Sequence, residues 1–187
     1  MSLKKLFFKT KIIYKIYLYY NLYIRHKSYL NRRQYSQWGE DKFISEYFKE
    51  KKEGIYLDIG CFHPFMYSNT CLLNKKGWRG INLDINPTSI DLFNISRPKD
   101  INLCTTISEQ KKIFDIYYDD PFSPMNTLDK EFYKSLKNKS FKEAKKLTVE
   151  SKSIKEILDI SKIKQNIDFI NIDVEGMDYK ILKDINL

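Results

Sequence analysis

Glycine is scarce in this chain, six among 187 residues, and no G-x-G-x-x-G run occurs. That excludes the usual pyrophosphate cradle of dinucleotide-binding proteins, whose closely spaced glycines bring phosphates against a helix N-terminus. Cysteine is also scarce: Cys61, Cys71 and Cys104, with no CxxC pair and no Cys/His ligand spacing. A disulfide scaffold and a zinc module are therefore excluded. Sparse unpaired thiols suit a reducing, cytoplasmic compartment, where such side chains serve as small buried hydrophobes. Long apolar runs are missing too. The stretch from Ile12 to Ile24 is short for a membrane span and is interrupted by Lys15. No small-residue cleavage site accompanies it, so it does not read as a secretory signal. Finally, residues 1–33 contain no acid.

What the chain does contain is a globular mixture, 42% hydrophobic and 30% charged, of a length that suits one ordinary domain. The net charge of +9 is unevenly placed. Lys4, Lys5, Lys9, Lys11, Lys15, Arg25, Lys27, Arg32 and Arg33 carry it, and the body beyond residue 33 is neutral. The excess charge is thus an N-terminal property, and no nucleic-acid-binding face is expected on the body. We divide the chain into a basic, aromatic N-terminal helix (1–33) and a single body (34–187). On a helical wheel Lys4, Lys11, Lys15 and Arg25 lie on one side, largely away from Ile13, Ile16, Tyr17, Tyr20 and Ile24. That is the pattern of an amphipathic helix on an anionic membrane surface with Tyr at headgroup level. A helix packed on its own domain or on a partner, or one that binds RNA, shares the pattern.

In the body, SQWGEDKFISEYFKE (36–50) reads as a core-facing helix capped by Ser36, with Phe43, Ile44, Tyr47 and Phe48 on its apolar face. Strands are expected at 54–60, 79–87, 100–108, 112–120 and 167–173, with a further one opening 146–158. Helices are expected at 68–78, capped by Ser68 and closed by Gly77, and at 88–97, 153–158 and 177–185. Ser153 and Glu156 form a capping box. Residues 121–146 read as a polar loop with one short helix near 129–137. Strand and helix alternate through the middle, which implies a parallel sheet, with 112–120 antiparallel or inserted.

Three acids fall at strand ends: Asp58, Asp84 and Asp173. Ligands of doubly wound sheets bind at those ends. Gly60 allows close approach to the backbone after the first strand, and Asp84 follows where an acid would accept from both ribose hydroxyls. Cys61 and His63 would obstruct a pyrophosphate. S-adenosylmethionine has none, and a loop with one firm glycine can meet its needs.

The stretches SQWGEDKFI (36–44), YLDIGCFHPFMYSNTCLLNKKGWRGINLDINP (56–87) and IDFINIDVEGMDYKIL (167–182) together resemble the FkbM family of S-adenosylmethionine-dependent methyltransferases over roughly residues 35–187. The resemblance implies a Rossmann-like class I methyltransferase fold and O-methylation of a sugar, glycan or related hydroxyl. It places Asp58, Gly60 and Cys61 in the loop at the methionine side, Asp84 at the ribose, and Ile85 with Thr105 and Thr106 at the adenine edge. Asp173 and Glu175 stand beside the transferring methyl, and Gln37 and Ser68 to Thr70 shape the pocket. His63 and Asp173 are the candidate bases for the hydroxyl proton. No third ligand accompanies Asp173 and Glu175 to make a metal site. The chain departs from the family in one respect. Its core strands stop at the fourth, 167–173, of the seven expected. We read this as a truncated chain; a second copy completing the sheet, or an inactive remnant, are the other readings. Peripheral attachment at the inner membrane face through residues 1–33 completes the expectation.

Overall fold

The computed structural model of the chain describes residues 11–118, 126–137, 145–174 and 176–185. Its central sheet has four parallel strands in the order β3-β2-β1-β7. These are β1 (Ile55–Ile59), β2 (Arg79–Asp84), β3 (Ile101–Cys104) and β7 (Phe169–Ile172). The short α3 (Cys71–Lys76) and α4 (Pro87–Ser96) make the β1-to-β2 and β2-to-β3 crossovers. All five side chains of β1 are buried, as a central parallel strand covered on both faces requires. Leu57, Ile59, Ile81 and Leu83 face one layer, where Ile157, Ile181 and Ile185 meet them. Those three lie on α6 (Ile154–Ser161) and α7 (Asp178–Ile185). Tyr56 faces the opposite layer with Leu73 and Trp78. This alternation is the period-2 geometry of a strand. Gly80 is required here by close approach: a Cβ on it would stand 2.0 Å from the Tyr56 ring.

A second, smaller sheet, β4-β6-β5, joins β4 (Thr106–Ile107), β5 (Ile113–Tyr118) and β6 (Lys145–Lys152). β5 is antiparallel to β6, as the missing crossover helix implied, and β4 is parallel to it. The expected strand 100–108 is thus two strands. The chain turns at Thr105, whose hydroxyl donates to the Glu150 carbonyl at 2.7 Å. α5 (Lys130–Lys137) occupies the expected helical part of 121–146. The Ser153–Glu156 capping box is formed.

Two caps differ from expectation. α2 (Glu40–Tyr47) begins after Gly39, and Ser36 instead donates to Asp41 Oδ1 at 2.6 Å. Asp41, buried, also takes the Tyr35 N–H at 2.6 Å, so SQWG is a self-tied turn that leads into the helix rather than its first turn. Phe43 and Tyr47 are exposed; Ile44 and Phe48 do the packing. α3 starts after Thr70, and Ser68 serves a buried arginine described below.

α1 (Lys11–Tyr20) continues through a π turn, Asn21–Arg25, and packs on α4 through Leu18 and Leu22 against Leu92. Tyr14 donates to Asp91 at 2.7 Å. The buried stripe is therefore not the apolar side of the helical wheel: Ile16, Tyr20 and Ile24 face outward, joined by Ile12, Tyr19 and Tyr23. A segment apolar on nearly all sides gives a wheel no single stripe to choose. No helix among the described residues is long and apolar enough to cross a membrane.

Candidate active site

The order β3-β2-β1-β7 reverses at β1: the chain steps outward through β2 and β3, then returns to the other side of β1. A crevice opens at that switch point, beyond the carboxyl ends of the strands, where such folds bind ligands. It is lined by Gly60, Asp84, Ile85, Thr105 and Asp173, each at or just beyond a strand end. Ile59, Leu83, Met177 and Ile181 supply its apolar surface. Its enclosed space is small, about 110 Å³, and the rest of the crevice is open to solvent.

Gly60 joins the strand ends. Its φ is +81°, and a Cβ there would stand 1.9 Å from the Asp173 carbonyl oxygen. The N–H of Gly60 donates to the Leu83 carbonyl at 2.8 Å, and that of Asp173 to the Ile59 carbonyl at 2.9 Å. β1, β2 and β7 are thereby held together directly beneath the crevice.

Asp84 is the anchored acid. Its Oδ2 accepts from the Phe62 N–H at 2.8 Å and its Oδ1 from the Asn86 N–H at 2.7 Å. Each oxygen keeps acceptor capacity for one more donor. Burial pushes its pKa up to about 6, against the two N–H groups that lower it. Asp173 sits at the exposed edge. Its carboxyl is raised too, by desolvation first and then by the charges of Asp178, Asp58 and Glu40. Two carboxylates line the cleft, and no Lys, Arg or His is among the described residues that do.

Other expected site residues lie elsewhere. Asp58 shares the Tyr56 face of β1 and does not line the cleft; its oxygens take the Thr70 hydroxyl at 2.6 Å and the Asn171 amide at 2.8 Å. Cys61 turns onto α4, against Ile90 and Phe93. His63 is no base. Its Nδ1 accepts from the Phe65 and Met66 N–H groups at 3.1 and 3.0 Å, so Nε2 carries the proton, donated to Asn21 Oδ1 at 3.2 Å. Burial lowers its pKa to about 3, helped by His26 and Arg97. It joins α1 to the loop after β1. Ser68 to Thr70 are absent from the lining, whereas Gln37 is present. Glu175 lies outside the described residues.

Sequence reasoning missed three contributors. Phe62 and Tyr67 line the cleft with positive φ, 48° and 57°, and their rings stack 6.5 Å apart. Such backbone costs on the order of 1–2 kcal/mol per residue and persists only where surroundings enforce it. Arg97 is the enforcer. Fully buried, it donates to the Pro64 carbonyl at 2.7 Å, Ser68 at 3.1 Å, Thr70 at 2.9 Å and the Tyr56 hydroxyl at 3.1 Å. A lone arginine at a helix end gives no signal in sequence. Two bulky residues in left-handed conformation give none either.

Residues 58–187 match the model of the FkbM methyltransferase domain. The chain belongs to the FkbM methyltransferase family. The parallel sheet with its switch-point cleft is the Rossmann-like architecture of such an enzyme. No curated protein and no solved structure matches the chain.

Proposed function

We propose that this FkbM-family chain is an S-adenosylmethionine-dependent O-methyltransferase acting on a hydroxyl of a sugar, glycan or related small molecule. The charge of the cleft carries the reading. A pocket with two carboxylates and no cation among its described lining residues suits a nucleoside bearing a sulfonium and disfavours a pyrophosphate. In it, Asp84 holds the ribose hydroxyls, Ile85 and Thr105 border the adenine, and Gly60 lies at the methionine side. The cofactor supplies a methyl group already activated on sulfur. The protein's part is to align the acceptor oxygen with that methyl group and to receive the hydroxyl proton. Asp173 is the base, because a carboxyl raised above its usual range is better matched to that proton than an ordinary one.

A second reading, a non-catalytic cofactor-binding chain, draws on the partly exposed β7 at the edge of the central sheet. A second copy pairing along β7 would cover it. Calorimetric titration separates the readings from an oxidoreductase: S-adenosylhomocysteine binds at micromolar concentration and nicotinamide dinucleotide does not. Turnover then separates enzyme from remnant, with the wild type transferring methyl groups from S-adenosylmethionine to hydroxylated sugars and Asp173→Asn failing to do so. Dinucleotide binding without S-adenosylhomocysteine binding would overturn the proposal.

The outward face of α1, with Ile12, Ile16 and Ile24 beside Lys11, Lys15 and Arg25, supports peripheral contact with an anionic membrane. Sedimentation with phosphatidylserine vesicles tests it: the wild type pellets, and Ile16→Ser with Ile24→Ser stays largely in solution.

A further inference from the structure

The cleft has a neighbour of opposite charge. A second depression is lined by Tyr29, Arg32, Arg33, Gln34, Ser36, Gln37 and Tyr67. Gln37 and Tyr67 also line the cofactor cleft, so the two spaces meet across these side chains. Among the described residues, the first is lined by carboxylates without a cation, and the second by two arginines without a carboxylate. One ligand of uniform charge does not suit both, but a cationic cofactor in one and an anionic co-substrate in the other does.

The arginines are placed for this. The Arg32 guanidinium lies 3.7 Å from the centre of the Tyr29 ring, and its Nε donates to the Ser28 carbonyl at 3.0 Å. Stacking and that bond fix the plane of the fork and leave its terminal N–H groups to other partners. Arg33 follows directly. Among the described residues neither guanidinium is in an ion pair. The floor beneath them is fixed. Ser36 is tied to Asp41, and the Tyr35 hydroxyl donates to the Leu30 carbonyl at 3.0 Å. Tyr67, at the junction, is held in left-handed backbone within the loop that Arg97 anchors. A segment fixed from below, presenting two guanidinium groups outside any ion pair among the described residues at the mouth of a methyl-transfer cleft, is built to hold an anionic group while a neighbouring hydroxyl enters.

The geometry points to an acceptor subsite at Arg32 and Arg33 for a sugar carrying an anionic substituent, a phosphate or a carboxylate. This assignment rests on the proposed methyltransferase reading and names its acceptor class. Paired guanidinium forks match the oxygens of either group in bidentate fashion. Gln37 and Tyr67, between the two spaces, are then the acceptor's contacts nearest the cofactor.

Titration tests the assignment with glucose 1-phosphate, glucuronate and neutral glucose as probes, in the presence and absence of S-adenosylhomocysteine. The wild type binds at least one anionic probe measurably better than glucose. Arg32→Gln with Arg33→Gln weakens that probe by roughly tenfold or more, the loss of two charged hydrogen-bonding groups. Lys27→Gln, which removes a charge from the same segment outside the depression, leaves it unchanged. Whether the phosphate or the carboxylate probe responds identifies the substituent. The double variant keeps wild-type affinity for S-adenosylhomocysteine, since no arginine is among the described residues that line that cleft. Three results would overturn the subsite: equal binding of glucose and both anionic probes, a double variant with wild-type probe affinity, or a double variant that loses only binding to phosphatidylserine vesicles. S-adenosylhomocysteine binding alongside any of these would remove the subsite alone. Its absence, with the probe response intact, would remove the cofactor reading and leave the anion site.

Discussion

The two walls of the cleft are built differently. On the β1–β2–α4 side the groups are largely buried and held by hydrogen bonds: Asp84 takes two backbone N–H groups, and Arg97 and His63 pin the loop at 60–70. On the β7–α7 side the strand is only partly buried, and Asp173 is exposed. The rigid wall suits recognition, because a cofactor gains most from donors and acceptors already in place. The open wall suits chemistry on a variable acceptor. The contrast teaches where substitutions should damage folding and where they should damage only turnover.

The largest effect is expected on the rigid wall. Arg97→Met removes a buried cation from four acceptors and should cost about 3–5 kcal/mol, read as a lower denaturation midpoint. An unchanged midpoint would mean the loop holds itself. Gly60→Ala should come next, at about 2 kcal/mol or more, since its φ is left-handed and its Cβ would strike the Asp173 carbonyl. It should also weaken S-adenosylhomocysteine, because β7 must move. His63→Gln should cost about 1–3 kcal/mol through its lost loop bonds and leave the pH dependence of turnover intact, as a structural joint requires. A vanished rate with unchanged stability would restore it as a base. On the open wall, Asp173→Asn should lower turnover by about 10²-fold or more with stability within about 0.5 kcal/mol.

The part of the molecule that was legible in sequence is the part governed by local periodicity. Buried parallel strands announce themselves as apolar runs, and the acids that close them mark the strand ends, so the sequence places Gly60, Asp84, Ile85, Thr105 and Asp173 at the strand ends that line the crevice. What periodicity cannot give is direction at a loop or around a helix. Asp58 alternates onto the far face of β1, because one residue along a strand reverses the side chain. Cys61 and His63 follow a left-handed turn that no pattern encodes. The outward side of α1 could not be told from its packed side, since apolar residues surround it. Ser36 and Ser68 look like caps, but Ser36 ties the turn to the Asp41 carboxylate and Ser68 bonds the distant Arg97.

The most direct test of the account is the pH dependence of S-adenosylhomocysteine affinity, measured by calorimetry for the wild type and Asp84→Asn. The folded-state pKa of Asp84 is raised to about 6, so the free protein carries a charged acceptor above that pH and a protonated one below it. Ribose hydroxyls donate to the charged form. Wild-type affinity should therefore be high above pH 7 and fall as pH drops through about 6, whereas Asp84→Asn should bind roughly tenfold or more weakly at pH 7 and lose the slope. Equal affinities of the two proteins at pH 7, with no decline toward pH 5, would contradict a cofactor cleft organised around Asp84.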